Sequence, residues 1–294
     1  MKNNILDTIL HLDQNYLIIG LLAVFFTLEQ VSGTPFSFKH RGKHLFQNIL
    51  YQIVLTALNV FFVSLQVFCI EWLNTHEIGL LYLIEIPFIA KLLVGVMLYD
   101  FTTYWIHRAS HTVPFLWRLH RVHHSDTTMD SSTVLRFHPL ELILIYQTGN
   151  ILAAGIFGLD VNAMVLYYFF IYIFLFLEHS NLHYPKWLNN TFGLIFVMPD
   201  HHRVHHQQEQ FYTDSNFADI FILWDRLFGT FKWLPVEKMK YGLVEFEGEE
   251  KQSFFYLMKS PFLKIERVSS DHVPTETNKT SPPCKEDNSS KTQL

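Results

Sequence analysis

Five apolar runs limit what this chain can fold into, because a helix needs roughly 20 apolar residues to cross a hydrocarbon layer of about 30 Å. The runs are 16–31, 49–73, 79–99, 140–159 and 161–177. Charged residues make up only 17% of the 294 residues, which also favours a membrane protein. The formal net charge of −5 is small, so the composition gives no sign of nucleic-acid binding. We therefore predict an all-α, multi-pass transmembrane bundle.

The lengths of the runs and the residues between them predict how they meet the membrane. Run 16–31 is the weakest candidate, and an interfacial helix or a bent hairpin is an alternative to a crossing. Only Asp160 separates the last two runs, so residues 140–177 are predicted to form a tight hairpin that either crosses the membrane or dips in and returns. Glu85 and Lys91 interrupt run 79–99. Charges at that depth are unfavourable unless they face protein or water, so this face is expected inside the bundle.

Basic residues predict the orientation of the bundle. Lys39, Arg41 and Lys43 follow the first run, and four arginines lie between residues 108 and 136, after the third run. The links at 74–78 and around Asp160 carry no lysine or arginine. By the positive-inside rule, the basic end is cytoplasmic, in a bacterial inner membrane or the endoplasmic reticulum.

Histidines are concentrated at that same end, with 12 of the 17 between residues 107 and 206. Ten of them form clusters whose i, i+3 and i+4 spacings place side chains on one helical face. They are His107, His111, His120, His123, His124, His179, His183, His202, His205 and His206. Neutral imidazole binds iron, copper, nickel and zinc. Since one octahedral ion takes at most six ligands and a structural zinc site closes at four, ten candidates predict two metal ions with open positions.

Residues near the clusters are expected to accept hydrogen bonds from the ligand rings and to balance the metal charge. The candidates for this supporting role are Asp100, Asp126, Asp130, His138, Glu178, Asp200 and Asp214. His138 has no histidine three or four residues away, which is more typical of a helix start or a supporting residue than of a ligand. His201 is excluded from the ligand set because it points to a different side of a helix from His205 and His206.

Other catalytic templates and cysteine chemistry are not supported by the sequence. The chain has no H-E-x-x-H, G-x-S-x-G, Walker or Rossmann motif. Its two cysteines, Cys69 in an apolar run and Cys284 in a polar segment, are not expected to pair or to form a zinc site.

The residues around the histidines extend the pattern beyond the ligands themselves. The segments are Tyr104-Trp-Ile-His-Arg108, Leu116-Trp-Arg-Leu-His-Arg-Val-His-His-Ser125, Leu135-Arg-Phe-His-Pro139, His202-Arg-Val-His-His206 and Trp224-Asp-Arg-Leu-Phe-Gly-Thr230. With them, the part of the chain from about Asp100 to Thr230 resembles the fatty acid hydroxylase/sterol desaturase superfamily of membrane di-iron enzymes. Tyr241-Gly-Leu243 looks most like the branch that contains alkylglycerol monooxygenase and bacterial sterol desaturase-like proteins.

The resemblance implies a cytosolic helical cap that holds two Fe2+ ions on the ten histidines, with O2 as co-substrate. The predicted function is hydroxylation or another oxidation of a C–H bond in a fatty acyl, alkyl or sterol lipid, with electrons from a separate donor. Two alternatives stay open: a desaturase of the same superfamily, and a non-catalytic membrane metal-binding protein. Transporters place their ligands within the membrane helices, whereas nearly all of these histidines follow the apolar runs.

The chain is expected to divide into four segments. Residues 1–99 form N-terminal transmembrane helices, and residues 100–235 form the histidine region with the membrane hairpin. Residues 236–267 form a C-terminal cytosolic segment, and residues 268–294, which lack apolar periodicity, are predicted to be a disordered tail.

Overall fold

The computed structural model describes residues 5–32, 34 and 40–268, and within these ranges the chain forms helices and no β-strand. The helices are α1 Ile5–Leu10, α2 Gln14–Val31, α3 Arg41–Thr75, α4 Phe88–Thr112, α5 Pro114–His124, α6 Pro139–Phe157, α7 Val161–His179, α8 Lys186–Asn190, α9 Pro199–His205, α10 Gln210–Thr213, α11 Leu223–Leu227 and α12 Phe254–Lys259. Lys39, Cys284 and all but the first residue of the predicted disordered tail lie outside the described residues.

Five of these helices, α2, α3, α4, α6 and α7, are long and apolar enough to cross a membrane. They correspond to the five apolar runs, and α2 covers 18 residues at the run that was the weakest candidate. The prediction of an all-α, multi-pass bundle is confirmed. Two short helices, α5 and α9, lie at the end of the bundle where α4 and α7 finish, and they form a helical cap there.

The centre of the bundle is the contact between α4 and α7. A Cβ atom added to Gly95 would lie 2.6 Å from the Cβ of Ala163, so these two small residues set how closely the helices approach. Tyr99 and Tyr167 stack beside them with ring centroids 5.7 Å apart. The Tyr167 hydroxyl also donates a hydrogen bond to Thr103 Oγ1 at 2.8 Å. Small residues and one polar contact therefore fix how α4, which carries His107 and His111, packs against α7, which carries His179.

The start of the third membrane helix differs from the sequence-based prediction. Run 79–99 is not one helix, because α4 begins at Phe88 after a short 3-10 turn at Leu80–Leu83. Glu85 is exposed in the link before Pro87, so it does not face the bundle interior. Lys91, in the first turn of α4, is partly buried and lies 4.0 Å from Asp160 in the hairpin turn. Both charges thus lie at the end of the bundle opposite to the cap. The sequence-based prediction had instead placed them on a helix face inside the bundle.

One helix of the hairpin contains a π-helical segment. Within α6, residues Leu142–Gln147 form this segment, which is a common feature of functional sites because it changes the direction of neighbouring side chains. Glu141 precedes it and is fully buried, and Gln147 closes it with 8% of its surface exposed. The distortion lies between a carboxylate that contacts the cap and an amide that lines a cavity among the membrane helices.

Buried polar contacts attach the cap to the bundle. The Glu29 carboxylate, at the end of α2, accepts hydrogen bonds from the backbone N–H of Ser131 at 2.9 Å and of Asn181 at 2.8 Å. Elsewhere in the cap, Arg121 donates to the backbone carbonyls of Ser260 and Ile265. The carboxylate in run 16–31 therefore has a structural partner, and the C-terminal segment is attached to the histidine region through α5.

Candidate metal centre

Nine of the ten predicted ligands come from four helix ends that meet in the cap. α4 contributes His107 and His111 one turn apart. α5 contributes a set of three, His120, His123 and His124. His179 is the last residue of α7. His202 and His205 lie on α9, and His206 is its C-cap. All nine are buried, with 5% of their surface exposed at most.

The nine side chains form two groups in which all ligand atoms lie within 4.8 Å of one another. The first group contains His107, His111, His120, His124 and His205, and the second contains His123, His179, His202 and His206. The groups share a wall, because the rings of His124 and His206 stack with centroids 4.6 Å apart. Nine of the ten predicted histidines are thus brought together in two adjacent groups of five and four, each of which could hold a metal ion.

The spacing of the ring nitrogens fits ligands around a metal ion. In the first group, the Nε2 atom of His120 lies 3.1 Å from that of His107 and 3.0 Å from that of His124. In the second group, His179 Nε2 lies 3.1 Å from His123 Nε2 and 3.0 Å from His202 Nε2. Two nitrogens at about 2.1 Å from one metal ion and at right angles to each other are about 3.0 Å apart. These convergent nitrogens therefore fit neighbouring positions of a coordination sphere.

The electrostatics of the cap also suit ligation. Burial lowers the pKa of His120 to about 3, and burial with the neighbouring imidazoles lowers the pKa of His123, His124, His202, His205 and His206 well below the ordinary value. The rings are thus neutral at physiological pH, which is the form that binds metals. The Nε2 atoms of His111 and His205 are buried with no hydrogen-bond partner among the described residues. A metal ion would give these atoms the partner that burial otherwise denies them.

The outer nitrogen of several rings is held by an oxygen acceptor, which turns Nε2 towards the centre. The Nδ1 atom of His120 lies 2.6 Å from the Glu141 carboxylate, and that of His111 lies 3.1 Å from Asp214. Backbone carbonyls serve three other rings at 2.6 to 2.8 Å, and they belong to Leu175 for His179, Ser215 for His205 and Phe217 for His107. Both kinds of acceptor set the tautomer that leaves the lone pair of Nε2 directed inwards.

The carbonyls of Ser215 and Phe217 lie in a loop that two buried carboxylates hold in place. Asp225 accepts hydrogen bonds from the backbone N–H of Phe217 at 2.8 Å and of Ala218 at 2.9 Å. Asp100 accepts from Ile220 N and from the Trp224 indole. Asp100 thus supports the ligands through the loop, although sequence reasoning expected it to contact a ring.

Glu141 is the main residue beside the histidine groups that sequence reasoning missed. It is the only charged residue in the apolar run 140–159, and that isolation was the available signal. Asp219 was missed as well, since no spacing rule ties it to the histidines. One of its carboxylate oxygens lies 3.8 Å from His107 Nδ1. Burial, together with the carboxylates of Asp100 and Asp225, raises the pKa of Asp219 well above its ordinary value.

Among the predicted supporting carboxylates, two lie beside ligand rings. Asp214 contacts His111, and one oxygen of Glu178 lies 3.7 Å from His202 Nδ1. Both oxygens of Glu178 are buried without a hydrogen-bond partner among the described residues. Asp214 also pairs with Arg267, whose guanidinium lies 2.8 Å away. The C-terminal segment therefore lies close to the histidine groups.

The structure places four other supporting candidates away from the rings. Asp126 pairs with His44 at 2.9 Å, and Asp130 caps the 3-10 turn Ser131–Leu135. Asp200 pairs with Arg203, three residues further along α9. His138 accepts from Leu140 N and so caps the start of α6. Proximity in sequence did not bring them to the ligands, because each has a nearer cationic or backbone partner.

His183 is the one predicted ligand that the structure places elsewhere. Its side chain is exposed and belongs to neither group. The prediction assumed that the helix continues past His179, but α7 ends there and Ser180 has an extended backbone with φ −61° and ψ 140°. The i+4 relation between His179 and His183 is therefore lost. His201 also lies outside both groups, as its helical position predicted.

A cavity of about 160 Å³ reaches the histidines from the membrane helices. His107, His123, His179 and His202 form one part of its wall. Next to them the lining is apolar, with Leu135, Phe137, Leu142, Ile171 and Leu175. The ring of Phe137 stacks on His123 with centroids 4.1 Å apart and an interplanar angle of 15°. Both histidine groups thus border an apolar space that can hold a hydrocarbon chain.

Comparison with known proteins agrees with this geometry. Residues 92–230 match the model of the fatty acid hydroxylase family. The chain is similar to alkylglycerol monooxygenase from Xenopus tropicalis, with 35% identity over 149 residues that cover 49% of this chain and 31% of the relative. It is also similar to a very-long-chain aldehyde decarbonylase from Oryza sativa subsp. indica, with 28% identity over 72% of this chain and 76% of the relative. A third relative, sphinganine C4-monooxygenase 2 from Arabidopsis thaliana, is 30% identical over 52% of this chain and 58% of its own length.

The matched region contains all nine grouped histidines, the cavity wall that they form and the loop that supports them. The chain spans about a third of the length of the alkylglycerol monooxygenases it matches. No solved structure matches the chain significantly. Over residues 92–230, which contain the two histidine groups, the chain is similar to the fatty acid hydroxylase family.

Proposed function

We propose that this protein is a membrane-bound oxygenase that uses two iron ions, O2 and external electrons to hydroxylate or otherwise oxidise a C–H bond of a lipid. The observation that carries the proposal is the position of the two histidine groups, which border one end of an apolar cavity among membrane helices. The names of two relatives, alkylglycerol monooxygenase and sphinganine C4-monooxygenase, support oxygenation of a lipid.

The proposed ligands are the nine grouped histidines, five for one ion and four for the other. Imidazole alone does not select iron over zinc or copper, so the choice of iron follows from the superfamily. When bound, two ferrous ions supply electrons and open positions for O2, which is the chemistry needed to oxidise an unactivated C–H bond. His183 is left out of the set. Five histidines at one ion and four at the other are both fewer than the six ligands that an octahedral ion can take.

The side chains of the site perform three tasks in this proposal. Glu141, Asp214 and the loop carbonyls accept hydrogen bonds from Nδ1–H of their rings, so that Nε2 stays unprotonated. Phe137 and the apolar walls exclude water from the ligand face and hold the hydrocarbon chain. Glu178 and Asp219 provide buried carboxylates that offset part of the charge of ions held only by neutral ligands.

The topology and the partners of the enzyme are part of the proposal. The histidine end of the bundle faces the cytoplasm because the basic residues lie there, and a separate electron donor reaches it from that side. We further propose that residues 100–235 act as the catalytic region, with residues 1–99 as its membrane anchor and 236–267 as a cytosolic segment that covers α5.

The test is a lipid analysis of cells that express the protein under isotopically labelled O2. Wild type and His183→Ala are expected to produce a lipid that carries one labelled oxygen, whereas His123→Ala, which removes a ligand from the second group, is expected to produce none. Loss of two hydrogens without labelled oxygen would replace the proposal with a desaturase. A hydrocarbon one carbon shorter would replace it with a decarbonylase, and iron-loaded protein without any product would favour a non-catalytic metal-binding role.

A further inference from the structure

The cavity contains a polar region that the oxidation itself does not require. Four amides and one phenol line it from three membrane helices, and we refer to them as the polar cluster: Asn59, Gln66, Gln147, Asn150 and Tyr168. Gln66 and Asn150 each have 2% of their surface exposed. Polar side chains within a membrane bundle are expensive and are rare unless they have partners or a function.

The hydrogen bonds of the polar cluster do not satisfy all of its atoms. Gln147 Nε2 donates to Asn59 Oδ1 at 3.0 Å, and Asn150 Nδ2 donates to the Tyr168 hydroxyl at 2.6 Å. The Oδ1 atom of Asn150 is buried with no hydrogen-bond partner among the described residues. Gln66, by contrast, has the Tyr168 hydroxyl as a side-chain partner. One acceptor is thus left over in the cavity, and a hydroxyl group, which can donate, satisfies it.

The polar cluster lies at a defined distance from the metal centre. Tyr168 precedes His179 by eleven residues on α7, which corresponds to roughly 16 Å along the helix axis. Along α7 the wall between them includes Ile171 and Leu175 together with Tyr172. A molecule that reaches both ends therefore has a polar group at one end, a largely apolar middle part, and its reacting carbon at the histidines.

We propose that the polar cluster binds a hydroxyl group of the lipid substrate and so determines which carbon reaches the metal centre. The substrate class is then a hydroxyl-bearing lipid, oxidised at a carbon roughly 16 Å from that hydroxyl. This inference rests on the proposed oxygenase function, because that function makes the cavity a substrate site. If the cluster only joins helices to one another, as polar side chains also do in membranes, its removal leaves ligand preference unchanged.

The experiment compares hexadecan-1-ol with its methyl ether, in which a methyl group replaces the hydroxyl hydrogen, as ligands of the purified metal-loaded protein in detergent. Wild type is expected to bind the alcohol about tenfold more tightly, because the ether cannot donate to Asn150 Oδ1. Asn150→Leu is expected to reduce the preference to less than about twofold, because it removes the acceptor that only the alcohol can use. Gln66→Leu is expected to keep the preference, because Gln66 Nε2 is a donor that both oxygens can accept from. Gln52→Leu is the matched control, since Gln52 lines the same cavity but already donates to Thr56 at 3.1 Å.

Equal affinity of wild type for the two probes, or an unchanged preference in a folded Asn150 variant, would overturn the proposal. Metal content and the unfolding temperature show whether each variant is folded, and Asn150→Ala, which also removes the acceptor, tests the idea if Asn150→Leu is not folded. Since binding is measured without turnover, a preserved preference together with absent oxidation would refute the oxygenase function alone.

Discussion

The contact between Glu141 and His120 gives the sharpest test of how the protein holds its metal ions. The carboxylate lies 2.6 Å from Nδ1, and the two side chains are 0% and 1% exposed. The comparable contact between Asp214 and His111 is longer, at 3.1 Å, and Asp214 is 29% exposed and shared with Arg267. Because solvent and a cation weaken the second contact, Glu141 should contribute more to metal affinity than Asp214.

The perturbation is Glu141→Gln, which keeps the shape and an acceptor but removes the charge. Loss of such a partner typically costs 10- to 100-fold in metal affinity. We expect about 100-fold for Glu141→Gln, equivalent to about 2.7 kcal/mol, and about tenfold or less for Asp214→Asn, equivalent to about 1.4 kcal/mol. The control is Glu85→Gln, which changes an exposed carboxylate at the opposite end of the bundle and should have no effect.

The assay measures metal retained by purified protein against increasing chelator concentration, with the metal determined by elemental analysis. Circular dichroism before chelation verifies that each variant is folded. Two results would contradict this role of Glu141: metal retention by Glu141→Gln equal to that of wild type, or readier loss of metal from Asp214→Asn than from Glu141→Gln. Either result would mean that the acceptor on Nδ1 does not control ligand strength in this site.

Three further predictions concern the ligand set, acid stability and helix packing. His179→Ala should reduce the metal content from two ions per chain towards one, whereas His183→Ala should keep both, and equal metal loss in the two variants would contradict the ligand groups. The metal-free protein should become less stable as the pH falls from about 6.5 towards 3. In this range the unfolded chain takes up a proton at His120, whereas burial keeps the pKa of His120 in the folded protein at about 3. Thermal unfolding in detergent at a series of pH values would show this loss, and stability that rises on acidification would contradict it. Gly95→Val should destabilise the protein by about 1–3 kcal/mol, because its side chain would overlap Ala163, while a matched Gly20→Val change, at a glycine with open space around it, should have little effect on the unfolding temperature.

The sequence alone determined the class of the fold and most of the histidines that form the two groups. Apolar run length predicts membrane helices because a bilayer imposes a fixed thickness. Histidine spacing predicts ligands because i, i+3 and i+4 positions share a helical face in any α-helix. Apolar run length and histidine spacing both depend only on local geometry. They therefore held for His107, His120 and His202, each of which the structure brings into one of the two groups.

The tertiary structure decided what local geometry does not contain. His183 follows the last residue of α7 by four positions, and only the turn at Ser180 removes it from the site. Glu141 lies on α6 and contacts His120 on α5, whereas Asp126 pairs with His44 of α3. Distance along the sequence therefore did not predict which carboxylates lie beside the histidines. The partition of nine histidines into five and four, and the polar cluster along the cavity, result from the packing of helices that lie far apart in the chain. Helical periodicity specifies which face a residue occupies, and only packing specifies what that face meets.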